Sequence, residues 1–372
     1  MKATAKKILI VTDYFYPHWT GISKSMYFLA KSLSGVYEVS ILTVRFDNSL
    51  PKQEVIENAQ ITRSEYLFTI SRSRYSLSML FDFLRLVKGK DIIFINAPFS
   101  NILPITVLAK ILRKKIYIFH QGDLILPAGF KNRLIEKIFD ISCFLSMIMS
   151  TKISTYTQEY AEHSRILTPF LKKVYPLLLP IYTQKKKTTK LNKRGKKIII
   201  GFAGRFVEEK GFDILFRAIP HLVKRYPGIT FIYAGQKDLP YENFFAKNYF
   251  LYKKVEKNIK ILGLLTNAEL EKFYSSLDIL VAPSRSDCFN LVQAEAALFG
   301  VPLVVSDIPG LSYLVKKTGF GYTAKCEDPK DLAQKIEKAI ENRVLLRQNH
   351  DKVLALLDNQ KNVKEIKKFI ER

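Results

Sequence analysis

Short apolar runs alternate with longer stretches of helical spacing through the first half of the chain. KKILIVTDY (residues 6–14) precedes SKSMYFLAKSLS (23–34), DIIFINAP (91–98) precedes NILPITVLAKILR (101–113), and KIYIFHQ (115–121) precedes a long helical pattern after Phe130. Strands that are apolar throughout, instead of on alternate residues, need cover on both faces, and the intervening helices supply it. The pattern predicts a parallel sheet in an α/β fold.

The same order restarts near residue 197. KKIIIGFAG, a helix from Phe212 to Tyr226, ITFIYAG, a helical stretch through Leu251, IKILG, NAELEKFYSS, DILVAPS, NLVQAEAALFG and PLVVS follow in turn. The openings KKILIVTDY and KKIIIGFAG are alike, which predicts two similar doubly wound domains. Such sheets bind ligands at the carboxyl ends of their strands, so the two are expected to face a central cleft. Between them TQKKKTTKLNKRGKK (183–197) holds eight basic residues, no acid and one large apolar residue, Leu191. That composition cannot pack. The expected organisation is a Rossmann-like first domain over 1–182, a basic linker over 183–196 and a Rossmann-like second domain over 197–354, with a helix at about 355–372 returning to the first.

Charge narrows the partners. Fifty-nine Lys and Arg against 34 Asp and Glu leave a formal charge of +25, a field that favours phosphorylated small molecules, anionic lipid or nucleic acid. Nucleic acid is not expected, because no interleaving of aromatic and basic strands and no recognition-helix pattern occurs. The cysteines, Cys143, Cys288 and Cys326, fit neither a disulfide framework nor a zinc site and imply a reducing compartment. The apolar run before Thr12 is too short for a signal peptide. Ile135 to Ser150 is interrupted by Asp140, Ser142 and Ser146, short of the about 20 apolar residues a spanning helix needs. The expected location is the cytoplasm, extending to the inner face of the cell membrane.

Candidate chemistry lies in four places. GRFVEEKGFDIL (204–215) puts Arg205 and Lys210 at a strand end beside a helix that enters at Gly211. There, charge and backbone N–H groups together hold phosphate oxygens. It is not a P-loop, since the order of Gly and Lys differs and no Ser or Thr follows the Lys; a solvated loop with common charges would read the same. PSRSDCFNLVQAEAALFGVP (283–302) sets Asp287 and Glu295 on either side of a loop-to-helix junction. With the helix starting near Asn290, the N–H groups of Asn290, Leu291 and Val292 form a diphosphate site. Glu295, just over one turn further, reaches a ribose diol; the alternative is an ordinary helix-surface acid. YPHWTGISKSMYFLA places Gly21 at a strand-to-helix turn where a ligand can approach the backbone. His120 ends the strand KIYIFHQ at the ligand edge of its sheet. A plain turn glycine and a structural histidine fit these two equally well. No Asp-x-Asp pair and no His or Cys cluster with ligand spacing occurs, so neither metal nor cofactor is expected.

Taken together these residues resemble the retaining nucleotide-sugar glycosyltransferases of the GT-B fold, specifically glycosyltransferase family 4. The resemblance covers nearly the whole chain and rests most on GRFVEEKG and PSRSDCFNLVQAEAALFGVPLVVSD. It implies that Arg205 and Lys210 hold a donor diphosphate, that Glu295 holds the ribose, and that His120 lies near the donor sugar. Asp287 then stands at the first position of the family's Glu, seven residues, Glu motif, Phe289, Asn290 and Leu291 make its phosphate turn, and Gly21 contributes to donor binding. Three positions depart from the family: Thr20-Gly21 replace a Gly-Gly pair, Asp287 replaces Glu, and Phe289-Asn290 replace Phe-Gly. Asn tolerates left-handed backbone angles better than other non-glycine residues. The implied activity is metal-independent transfer of a sugar from a UDP- or GDP-sugar to a hydroxyl acceptor, a lipid-linked or cell-envelope glycan precursor at an anionic membrane surface. The rival readings are a nucleotide-sugar epimerase or sugar-phosphate synthase on the same fold and, from charge alone, a nucleic-acid-binding protein.

Overall fold

The structure, a computed structural model, describes residues 6–70, 72–183, 198–239 and 241–371. The expected basic linker lies outside the described residues from position 184 onward. The chain divides into two compact units, one of Met1–Pro180 with Asn359–Arg372 and one of Ile181–Asp358.

The first unit opens with β1 (Lys7–Val11), α1 (Gly21–Leu33), β2 (Glu38–Val44), β3 (Gln53–Ile56) and β4 (Ala59–Ser64). A small hairpin of β5 (Phe68–Ile70) and β6 (Ser73–Tyr75) follows, then α2 (Ser78–Leu86), β7 (Ile92–Ala97), α3 (Ile102–Ile111) and β8 (Lys115–His120). The unit continues through α4 (Phe130–Met149), β9 (Lys152–Thr155), α5 (Gln158–His163) and β10 (Val174–Pro176). Its sheet runs β10-β9-β8-β7-β1-β2-β4-β3, with only β3 antiparallel to its neighbour. The central strands β1, β7 and β8 are apolar and buried because helices cover both faces. Chain order reverses between β1 and β7, in register Val11 to Ile95, which makes their carboxyl ends the place where such a sheet receives a ligand.

The second unit holds β11 (Ile199–Ala203), α6 (Phe212–Arg225), β12 (Thr230–Ala234), α7 (Phe244–Lys247), α8 (Tyr249–Val255) and β13 (Ile259–Gly263). Next come α9 (Asn267–Ser276), β14 (Ile279–Ala282), α10 (Leu291–Leu298), β15 (Leu303–Ser306), α11 (Tyr313–Thr318) and β16 (Gly321–Ala324). The unit closes with α12 (Pro329–Glu341), α13 (Arg343–Arg347) and α14 (His350–Leu356). All six strands are parallel in the order β13-β12-β11-β14-β15-β16. The reversal falls between β11 and β14, the two strands that lead into the GRFVEEKG and PSRSDCFN loops. Behind them an aromatic cluster of Phe202, Phe206, Phe212, Phe216 and Tyr233 fixes α6 on the sheet.

The last helix, α15 (Asn359–Glu371), belongs to the first unit. Phe369 packs on the rings of Tyr117 and Tyr175, and its carbonyl accepts from Lys152 Nζ at 2.6 Å. Among the described residues no helix is long and apolar enough to cross a membrane.

Candidate active site

In the second unit two loops are pressed together. Glu208–Lys210 form one 3-10 turn, ended by Gly211 at φ 64°. A β-carbon on Gly211 would sit 2.0 Å from the carbonyl oxygen of Pro283, so only glycine lets the loop after β11 lie against the loop after β14. The Arg285 N–H donates to Glu209 O at 2.7 Å across the same contact. The Arg285 guanidinium forks onto Asp213 at 2.8 and 2.9 Å, reaches Glu208 O at 2.7 Å and pairs with Glu327. Burial works against that charge, but Asp213 and Glu327 outweigh it and hold the Arg285 pKa above its ordinary value.

On this frame Lys210 Nζ donates to Asp287 Oδ2 at 2.6 Å, with Glu209 Oε1 4.0 Å away. Burial alone would lower the Lys210 pKa; the carboxylates of Asp287 and Glu209 prevail and raise it. Arg205, the more exposed cation, donates from Nη1 to Tyr241 Oη at 2.9 Å and places Nη2 3.6 Å from Glu209 Oε1. Arg205 and Lys210 therefore approach one carboxylate, Glu209, at the exit of β11.

The start of α10 forms the adjoining wall. Phe289 is buried and Asn290 stands at φ 61°, ψ 94°, where its Oδ1 accepts from the Gln293 N–H at 3.2 Å as the N-cap. The Asn290 departure thus keeps the positive φ of the turn and adds a cap. Gln293 anchors the turn from beneath, donating to Leu311 O at 2.9 Å and to Phe289 O. The first N–H groups of a helix have no intrahelical acceptor, and here those of Leu291 and Val292 follow directly on the loop that carries Asp287. Glu295 is 3% exposed and accepts from Tyr274 Oη at 2.8 Å, which rules out an ordinary helix-surface acid. Burial and the neighbouring carboxylate push the Tyr274 phenol well above its usual pKa.

Gly21 and His120 belong to the first unit. Gly21 is the first residue of α1, after the N-cap Thr20, whose side chain forms a capping box with Ser23. A β-carbon on Gly21 would meet nothing within 4 Å. The packing of the chain itself therefore does not require glycine there. His120 is buried at the end of β8, with Nε2 2.9 Å from Asp123 Oδ1. Asp123 also accepts from Ser164 Oγ at 2.7 Å and the Arg165 N–H at 3.0 Å. Burial would raise the Asp123 pKa, but these partners, His120 first, hold it below the ordinary range. His120 Nδ1 has no hydrogen-bond partner among the described residues.

Four residues that the sequence did not single out complete the picture. Asp13 follows β1, is 4% exposed, and accepts at Oδ2 from Ser73 Oγ and the Arg74 N–H, while Oδ1 has no partner among the described residues. Burial pushes its carboxyl up to about 7 against the pull of Ser73 and Arg74. Its one sequence signal was a polar pair, Thr12-Asp13, ending an apolar strand. Tyr274 reads as helix core, Tyr241 falls in the stretch expected to be helical through Leu251 but lies in the loop before α7, and Arg285 sits unremarked inside PSRSD. Among the described residues, no group of three or more His, Cys, Asp or Glu is placed to hold a metal ion.

Comparison with known proteins matches a sequence pattern that spans most of the second unit and the start of α15. Residues 183–366 match the family model described as glycosyl transferases group 1. An uncharacterized 41.2 kDa protein in the cps region of Klebsiella pneumoniae is 32% identical over 135 residues, 36% of this chain and 34% of that protein. The capsular polysaccharide biosynthesis glycosyltransferase CapM of Staphylococcus aureus is 25% identical over 147 residues, 40% of this chain and 38% of its own length. The chain thus spans little more than a third of the length of the curated relatives it matches. Among solved structures, sucrose-phosphate synthase from Thermosynechococcus elongatus superposes with a TM-score of 0.79 at 17% identity, covering 98% of both chains. Anabaena HepE, solved in complex with UDP and glucose, gives 0.75 at 15% identity over 98% of this chain and 99% of its own. Over residues 183–366 the chain matches the glycosyl transferases group 1, and its fold is that of the GT-B glycosyltransferases.

Proposed function

We propose that the protein is a metal-independent, retaining glycosyltransferase of family 4, moving a sugar from a UDP- or GDP-sugar to a hydroxyl acceptor. The observation that carries this is the convergence of Arg205, Lys210 and the start of α10 on one pair of loops, held by Gly211 and Arg285. The donor diphosphate lies across the helix start, where N–H groups and two cations give charge-assisted bonds. Glu295 accepts hydrogen bonds from the ribose. At the anomeric carbon the bond to the diphosphate oxygen breaks and one to the acceptor oxygen forms, while the acceptor hydroxyl passes its proton to the departing diphosphate oxygen. Charge growing on the leaving diphosphate meets donors already in place, which supplies most of the acceleration. Lys210 exchanges Asp287 for a phosphate oxygen, and the freed carboxylate turns to the sugar hydroxyls. His120, oriented by Asp123, serves the donor sugar.

Support for the donor comes from HepE, solved with UDP and glucose. Support for an envelope acceptor comes from the capsular polysaccharide role of CapM and from the charge of +25, which suits a lipid-linked precursor at the anionic inner face of the membrane. Likeness to sucrose-phosphate synthase favours, as a second reading, a sugar-phosphate synthase on the same fold.

Melting-temperature shifts with UDP, GDP, ADP and their sugars test the donor, since a ligand bound only to the folded state raises stability. One nucleoside diphosphate should saturate, and Arg205→Ala and Lys210→Ala should each weaken it about ten- to a hundredfold with the apo fold unchanged. Unchanged affinity in both variants would remove them from the donor site. Recovery of isomerised donor in place of a transferred sugar would establish an epimerase, and transfer to a sugar phosphate would establish the second reading.

A further inference from the structure

The solvent face of α4 is apolar along its whole length. Phe130, Leu134, Ile138, Ile141 and Ile148 are each half exposed or more, and Leu145 lies close behind. At 100° per residue these six fall within a sector of about 80°, on a helix about 30 Å long. The opposite side, Phe139, Cys143, Ser146 and Met147, is the one the first unit buries. A surface helix ordinarily turns polar residues outward, and a contiguous exposed apolar patch marks an interaction site.

Cations flank the stripe and no exposed acid does. Lys131 lies to one side and Arg133 and Lys137 to the other, all exposed. The two acids of α4 face elsewhere: Glu136 accepts from the Leu126 N–H at 2.6 Å and Asp140 from Arg165 at 2.7 and 3.0 Å. Beyond the last turn Lys173 Nζ donates to Ile148 O at 3.2 Å, next to exposed Lys172. A second copy of this helix fits the face poorly, since a symmetric pair would set cations against cations with no acid between them. An anionic bilayer satisfies both features, acyl chains taking the apolar stripe and headgroup phosphates the flanking cations.

We infer that α4 lies along an anionic membrane surface, with Phe130, Leu134, Ile138, Ile141, Leu145 and Ile148 in the acyl boundary and Lys131, Arg133 and Lys137 at lipid phosphates. This deepens the proposed function, resting on its membrane-borne acceptor, and assigns the docking to one helix of the first unit instead of to diffuse charge. The full chain should co-sediment with phosphatidylglycerol-containing vesicles and only weakly with phosphatidylcholine vesicles. Part of the binding should survive high salt, because screening leaves the apolar contact in place. The triple variant Leu134→Ser/Ile138→Ser/Ile141→Ser should lower the partition coefficient at least tenfold, while Leu264→Ser, at an exposed apolar residue of the second unit, binds as the parent does. Tryptophan fluorescence of Ile141→Trp should shift to shorter wavelength on adding the anionic vesicles. Vesicle binding by the triple variant equal to the parent, equal loss in Leu264→Ser, or a parent dimer that the triple variant renders monomeric without loss of vesicle binding would each overturn the inference. Nucleoside-diphosphate binding, measured on the same samples, reports separately on the donor reading and on the fold of the triple variant.

Discussion

Replacing Asp13 by Asn should remove a pH dependence of stability that the parent carries between about pH 4 and 7. The carboxyl is almost fully buried at the carboxyl end of β1, and burial moves it from an ordinary 3.8 to about 7. The folded chain therefore holds this proton more tightly than the unfolded chain. Stability from this group is present in full below the unfolded value and is lost as pH rises toward the folded one. The difference between 3.8 and about 7 corresponds to about 4 kcal/mol at so buried a site. Asn has the same shape, can still accept from Ser73 and the Arg74 N–H, and carries no proton to lose. Thermal melts of both proteins from pH 4.5 to 8 provide the assay. At about 2–4 °C per kcal/mol for a unit of this size, the two melting curves of the first unit should diverge by roughly 10 °C across the window. Parallel curves would refute the reasoning, and so would a parent that gains on the variant as pH rises, since that would mean an ionised carboxylate stabilised by Arg74.

Three further outcomes are expected. Tyr274→Phe removes a hydrogen bond to the buried Glu295 carboxylate and should cost about 1.5–3 kcal/mol in chemical denaturation, with a parallel loss of nucleotide affinity that a purely structural tyrosine would not show. Asn290→Ala loses both the N-cap and a residue suited to positive φ, for about 2–3 kcal/mol, whereas Asn290→Gly should stay close to the parent. Asp287→Asn lowers the Lys210 pKa by removing its nearest anion, so the alkaline loss of nucleoside-diphosphate affinity should begin at lower pH than in the parent. An unmoved alkaline limb in a binding titration would show that Lys210 does not hold the diphosphate.

Both sheets were legible because their central strands are buried on two faces and so read as unbroken apolar runs. β1, β7, β8, β11, β14 and β15 all announce themselves in this way. The stretch between residues 35 and 90 yielded no elements, although β2, β3, β4, the hairpin and α2 lie there. β3 and β4 are short and mostly polar, and the hairpin sits apart from the main sheet. In the site, residue types at loop-to-helix junctions were readable, since phosphate-binding chemistry limits what such junctions carry. Contacts were not. Tyr274 meets Glu295 across 21 residues, Asp13 meets Ser73 across 60 and Arg285 meets Asp213 across 72, and only the path of the chain brings such pairs together. The family resemblance set Asp287 at the first position of its motif; that Lys210 holds it in the resting chain depends on the close approach at Gly211.

The position of α15 governs the order in which the protein can be completed during synthesis. A ribosome releases the chain from its amino end, and domains fold as they emerge. Here the first unit is incomplete at that stage, because the helix that covers Tyr117, touches the Tyr175 ring and receives Lys152 is translated only after the whole second unit. Tyr117 must wait without that cover while the second unit is made. A premature stop beyond residue 358 would accordingly leave the later-made unit whole and the earlier-made one unfinished.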